Sequence, residues 1–241
     1  MGRGRGGKAG GRAHGGKCNS LNQKMRAARS AAEVLALVKA EGAGSLSLID
    51  SSTAVHCLAR HQRPGGGNSG GAQQGDGDTA AALMRHVAAQ TIPGLRNQRT
   101  VLTLLWAVAK LLSQDSAATA SLPPSALEAL GRKGLEALTT ADGRGVATAA
   151  WSIVHLRKTA PALASPDATA QIETAVSRLL LAKQQQSTPA PFDGQGLANV
   201  AWALGALGCR DRALLTQLGE AALLQLADFT SQGLQVNFVL K

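Results

Sequence analysis

"FDGQGLANVAWALGALG", residues Phe192–Gly208, is a nearly unbroken apolar stretch with one Trp in its middle. Its decisive property is that it recurs. "TVLTLLWAVAK" (100–110), "GVATAAWSIVH" (145–155) and "GLANVAWALGA" (196–206) superpose without a gap, which puts Trp106, Trp151 and Trp202 in one column. "STAVHCLAR" (52–60) fits the same frame with His56 in the ring column. A fifth unit begins near the C-terminus, where "FTSQGLQVN" (229–237) repeats the Phe, Gln, Gly and Leu of "FDGQGLANV" (192–200).

The ring column advances by 50, 45 and 51 residues, whereas Phe192 to Phe229 is 37. Low-complexity insertions at 61–78, 113–124 and 182–191 account for the excess and leave a period of about 37–40 residues, within the range of helical solenoids. Between ring segments lie "AAEVLALVKA", "TAAALMRHVAAQ", "SALEALGRKGLEAL", "QIETAVSRLLLA" and "RALLTQLGEAALLQL", each with apolar residues at helical spacing. Pro123-Pro124 and Pro166 stand where a helix start tolerates proline. Each unit is therefore expected to be a helix pair. In the ring helices the leading apolar stripe is Leu197, Val200, Ala201 and Leu204, matched by Val101, Leu104, Leu105 and Val108 and by Val146, Ala149, Ala150 and Ile153. The Trp falls on the neighbouring face, so Trp106, Trp151, Trp202 and His56 are expected to pack in the repeat core beside Leu197 and Leu204.

Composition agrees with helices. Of 241 residues 44% are apolar, enough for a sizeable core, yet there is no Tyr and only three Phe and three Trp, so that core is Ala- and Leu-rich. The fold class expected is all-α, a right-handed α-solenoid of helix-pair repeats. Cys18, Cys57 and Cys209 are far apart and make neither a zinc motif nor a disulfide framework. No apolar run has the length of a membrane span.

The net charge of +10 is uneven: residues 1–30 carry +8 with no acid, and residues 31–241 carry +2. "MGRGRGGKAGGRAHGGKC" is expected to be disordered, since it cannot bury apolar surface. Such a tail suits an organelle import signal or phosphate contacts with nucleic acid. The organisation expected is a basic Gly/Arg-rich tail over 1–28, a first helix pair over 29–60, a Gly-rich insertion over 61–78, and further pairs over 79–241 with the last incomplete.

Phe-x-x-Gln-Gly-Leu-Ala-Asn-x-x-Trp-Ala-Leu-x-x-Leu-Gly, from Phe192 to Gly208, resembles the signature of octotricopeptide-repeat proteins and of their FAST-kinase-like, RAP-domain-containing organellar relatives. "NSLNQKMRAARSAAEVLALVKAEGAGSLSLIDSSTAVHCLAR" is similar to the segment that opens the repeat region in such proteins. The likeness covers roughly residues 20–241 and is strongest at 192–208. Tetratricopeptide repeats want a Tyr that this chain lacks, and the ankyrin-like "TAVHCLAR" occurs once. The resemblance implies sequence-guided binding of single-stranded RNA, messenger or ribosomal precursor, that controls processing, stability, splicing or translation. The expected place is the chloroplast stroma, or else the mitochondrial matrix, with RNA-maturation or ribosomal proteins as further partners, no cofactor and no membrane. Few repeats, long insertions, no C-terminal RAP domain and an end inside a helical pattern are what a fragment or truncated gene would show.

Arg99, Thr103 and Lys110 occupy i, i+4 and i+11 of one ring helix, off the apolar stripe. Arg144, Thr148 and His155 hold the same columns in the next, followed by Gln195, Asn199 and Ala206; Thr53 and Arg60 hold the last two columns of the first unit, and Gln232 the first of the last. Stacked repeats would align them as a polar, partly basic stripe. Gln and Asn can pair with base edges, and Arg and Lys can hold phosphates or stack. Any solenoid helix also needs one wet face, so plain surface explains the columns equally. There is no P-loop, HExxH, GxSxG or kinase triplet, and catalysis is not expected. A protein-binding scaffold of armadillo or HEAT type is the alternative to an RNA binder.

Overall fold

The structure is a computed structural model that describes residues 15–62, 74–114, 116–185 and 190–225. The described residues are helical, joined by turns, with no strand among them. The elements are α1 (Gly15–Ala27), α2 (Ala31–Glu41), α3 (Leu48–His61), α4 (Gln74–His86), α5 (Ile92–Gly94), α6 (Gln98–Ser113), α7 (Pro124–Ala137), α8 (Gly143–Leu156), α9 (Pro166–Gln185), α10 (Gly194–Leu207) and α11 (Arg212–Leu223). A π-helical stretch, Val87–Thr91, links α4 to α5.

Local chemistry sets the helix starts. Ser47, Asn97, Asp142 and Asp193 each accept the backbone N–H three residues on, at 3.1, 3.2, 2.8 and 2.7 Å, and so cap α3, α6, α8 and α10. Each cap stands nine residues before its ring residue, His56, Trp106, Trp151 or Trp202. At the far end of α10, Gly208 adopts φ 78°, and the Cys209 N–H donates to the Leu204 carbonyl at 2.9 Å. That left-handed turn, open to glycine at no steric cost, stops the helix.

Helices α1, α3, α6, α8 and α10 touch in series, each packing on the next. The partner helices line one side of that series: α2 lies on α3, α7 on α6 and α8, α9 on α8 and α10, and α11 on α10. The leading stripe of the ring helices faces these partners and forms the core; Leu104, Leu105, Val108, Val146, Ile153, Val200 and Leu204 are fully enclosed. The flanks of the ring helices carry small residues. Ala107, Ser152 and Ala203 stand one after the ring, Ala147 and Ala198 four before it, and all are buried, so neighbouring backbones approach closely. Glycines extend this. A β-carbon on Gly134 of α7 would lie 2.5 Å from Leu105 of α6, and one on Gly143 would lie 1.5 Å from the Pro191 carbonyl oxygen.

Side-chain hydrogen bonds tie each unit to the next. Asn22 Nδ2 donates to Thr53 Oγ1 at 2.6 Å, Gln98 Nε2 to the Ala137 carbonyl at 3.1 Å, Lys133 Nζ to the Leu95 carbonyl at 3.1 Å, and Arg178 to the Leu138 and Ala141 carbonyls at 3.1 and 2.8 Å. Ser51 and Thr91 hydroxyls pair at 2.8 Å in the interior. These ties join residues 31 to 40 positions apart, about one repeat.

Within the tail expected over 1–28, Gly15–Ala27 is α1, with Met25 fully buried in the common core, and within the insertion expected over 61–78, α4 starts at Gln74. Residues 1–14, 63–73 and the repeat expected at 229–237 lie outside the described residues. No described helix is long and apolar enough to cross a membrane.

Candidate functional site

A helix advances by about 100° per residue, so positions seven before, three before and four after the ring residue fall within about 60° of it on the helix wheel. The ring therefore shares a face with the polar columns, and that face is the one left open once the partner helices and both flanks are covered. Arg99, Arg144 and Gln195 are exposed in the first column; Thr103, Thr148 and Asn199 are half-buried in the second; Arg60 is exposed and Lys110 and His155 half-buried in the third. Gln232 lies outside the described residues.

His56, Trp106, Trp151 and Trp202, expected to pack in the repeat core, are half-buried, and the three indoles pack against the core from its edge. Leu197 and Leu204, on the opposite side of α10, are buried. The reason is steric: the flanks are packed through Ala and Gly, and an indole fits only where the helix surface is open.

Along this open face the rings meet. The His56 and Trp106 ring centroids are 5.4 Å apart, so α3 and α6 touch through aromatic faces. Lys110 Nζ stands 5.1 Å from the Trp106 centroid, a cation over a π face. On the other side, His155 lies between two indoles, 4.3 Å from Trp151 and 5.3 Å from Trp202, the latter pair stacked at 26°. His155, four after Trp151, thus reaches the ring of the next helix, whereas Lys110 lies over the ring of its own.

Both imidazoles are held below the usual histidine pKa. Burial is the first cause for His56, followed by the positive charges of Arg60, Arg26 and Lys110; burial and then Lys158 act on His155. The rings are therefore neutral near pH 7 and act as stacking surfaces, while the charge on this face comes from Arg and Lys. His155 Nδ1 is buried without a hydrogen-bond partner.

Helix dipoles divide the cations into two edges. Arg26, Arg60 and Lys110 occupy the last turns of α1, α3 and α6, where the negative helix end favours them. Arg99 and Arg144 are the second residues of α6 and α8, beside the positive end, where the dipole gives a cation no support. Asp142 and Asp193 each accept one first-turn N–H, of Gly145 in α8 and Gly196 in α10, and place a carboxylate at those helix starts.

One expected site residue is removed from the face. Thr53 is only 8% exposed, and its hydroxyl accepts the Asn22 amide from α1, which covers that side of α3. One residue was missed: Arg26 of α1, whose charge reaches His56 and Cys57. Its helix was detectable, because Leu21, Met25 and Ala28 stand at i, i+4 and i+7.

No group of His, Cys, Asp and Glu among the described residues could hold a metal ion. Comparison with protein-family models, with curated proteins and with solved structures gave no match to this chain.

Proposed function

We propose that the chain is a right-handed α-solenoid of octotricopeptide-like helix pairs that binds single-stranded RNA along the open face of its ring helices, in control of organellar transcripts. The observation that carries this reading is the co-facial run of half-buried rings over four helices, His56, Trp106, Trp151 and Trp202, with Arg60 and Lys110 beside the first two, His155 between the last two and Asn199 beside Trp202. Rings give sequence-tolerant stacking, cations hold phosphates, and Thr103, Thr148, Asn199 and Gln195 vary in identity while remaining able to hydrogen-bond base edges. Arg99 and Arg144 add support, since they stand where their own helices do not favour a cation. The acid-free basic start of the chain is the support for chloroplast or mitochondrial import.

The test is a titration of the full chain with single-stranded RNA over a range of salt. Affinity should fall with salt, and the Arg99→Gln/Arg144→Gln pair should flatten the slope of log K against log salt by about 1.4, near 0.7 for each phosphate that is no longer neutralised. An acidic peptide that binds more tightly than any RNA would replace this reading with a protein-binding scaffold of armadillo or HEAT type.

A further inference from the structure

The open face is not uniform along its length. At the α1–α3–α6 end three helices each bring one cation to the same ring pair: Arg26 and Arg60 are exposed, Lys110 is held over Trp106, and all three charges bear on His56. Every charge that acts on His56 is positive. At the α8–α10 end the corresponding residues are His155 and Ala206, and the rings of Trp151, His155 and Trp202 touch in series, the first pair tilted and the second stacked.

We propose that the two ends divide the work of holding a nucleic-acid strand: Arg26, Arg60 and Lys110 around the His56–Trp106 pair grip phosphodiesters of single-stranded RNA, and the Trp151–His155–Trp202 end contributes stacking. This rests on the RNA-binding reading above and assigns its parts.

The physical argument has three steps. Exposed cations converging from separate helices repel one another, and an anion with several acceptor oxygens relieves that repulsion. A phosphodiester supplies such oxygens, and its adjoining base can lie on the open part of the Trp106 indole, next to the Lys110 ammonium. Each of the three residues stands in the last turn of its own helix, whose negative end favours a cation there before the strand arrives. At the other end no cation stands four residues after the ring, where His155 and Ala206 take the places of Arg60 and Lys110; Arg144 stands two turns from Trp151, at the start of α8.

The experiment uses the full chain, a mixed-sequence single-stranded RNA of twelve nucleotides, and inorganic polyphosphate as a competitor that has phosphates and no bases. Residues 1–14 are the same in every variant, so their charge cancels in the comparison. The Arg26→Gln/Arg60→Gln/Lys110→Gln triple should lower the salt slope by about 2 and weaken RNA binding at low salt at least tenfold. Polyphosphate should compete less well for that triple than for the wild type. Trp202→Leu and His155→Gln should weaken RNA binding several-fold with the slope, and the competition by polyphosphate, unchanged. The His155 variant serves where loss of the indole disturbs folding, which thermal unfolding of each variant reports. A triple variant that keeps the wild-type slope, or a Trp202 variant that changes it as much, overturns the division while RNA binding itself stands. Absence of RNA binding by the wild type overturns both readings.

Discussion

The α8–α10 seam and the surroundings of α3 solve the same packing problem with different chemistry. Between α8 and α10 the backbones close up because side chains are missing: Gly143 lies under the Pro191 carbonyl, Gly196 sits against Phe192, and Ala147, Ala198 and Ala203 line the contact. Around α3 two of these positions are polar, with Asp50 in place of Gly196 and Ser52 in place of Ala147 and Ala198, and Ser51 stands where α8 and α10 carry Val146 and Leu197. Ser51, Ser52 and Asp50 are buried: Ser51 pairs with Thr91, Ser52 donates to the Leu48 carbonyl at 2.8 Å, and Ser47 donates to Asp50 Oδ2 at 2.6 Å, while Asp50 Oδ1 has no partner. The difference shows that this helix spacing asks for small volume, which glycine and alanine supply without polarity and serine supplies with it. Serine then requires a partner for every hydroxyl.

The comparison breaks most sharply at Gly143. Gly143→Ala should destabilise the chain by about 3 kcal/mol, because a β-carbon there meets backbone that cannot give way. Gln98→Ala, at the equivalent first position of α6, loses only its bonds to Ala137 and Thr140 and should cost about 1 kcal/mol. Denaturant unfolding of the two variants checks this, and equal losses would refute the claim that the seams differ.

A smaller effect is expected on the polar side. Thr91→Val removes the partner of Ser51 yet leaves Ser51 its bonds to the Ser47 and Leu48 carbonyls, so the cost should be about 1 kcal/mol. A double-mutant cycle with Ser51→Ala should show coupling between these two positions and none between Ser51 and Gly143.

The smallest effect comes from the imidazoles. Folding lowers the pKa of His56 and His155 below 6.5, so in the window from 6.5 down to each lowered value the unfolded chain binds more protons. Their contribution is full above pH 6.5 and is lost as pH falls through that window. Melting temperature should drop between pH 8 and pH 5, and His56→Gln with His155→Gln should flatten the drop; a rise on acidification would contradict the burial of these rings.

The helical class, the paired-helix segments and the shared frame of the ring helices are legible in the sequence, because 3.6-residue periodicity and an aligned Trp column are local signals. The side on which the Trp stands is legible in principle, yet the size and apolarity of an indole point inward and mislead. Simple angular arithmetic sets Trp106 beside Thr103 and Lys110 rather than beside Leu104. The covering of Thr53 is not legible, since the amide that meets it comes from Asn22, 31 residues earlier, in a helix whose start is hidden by Gly15 and Gly16. The α3 unit matches its siblings least well because Asp50, Ser51 and Ser52 stand where α10 carries Gly196, Leu197 and Ala198.

The ties between units also bear on how the chain reaches its structure. Those from Asn22 to Thr53, Ser51 to Thr91, Gln98 to Ala137 and Arg178 to Leu138 each close a loop of 31 to 40 residues. The entropic cost of each closure is thus set by one repeat and does not grow with the length of the chain. For the solenoid proposed above, folding could begin at any well-formed pair and spread outward in both directions, and an added pair would lengthen the series without slowing the rest.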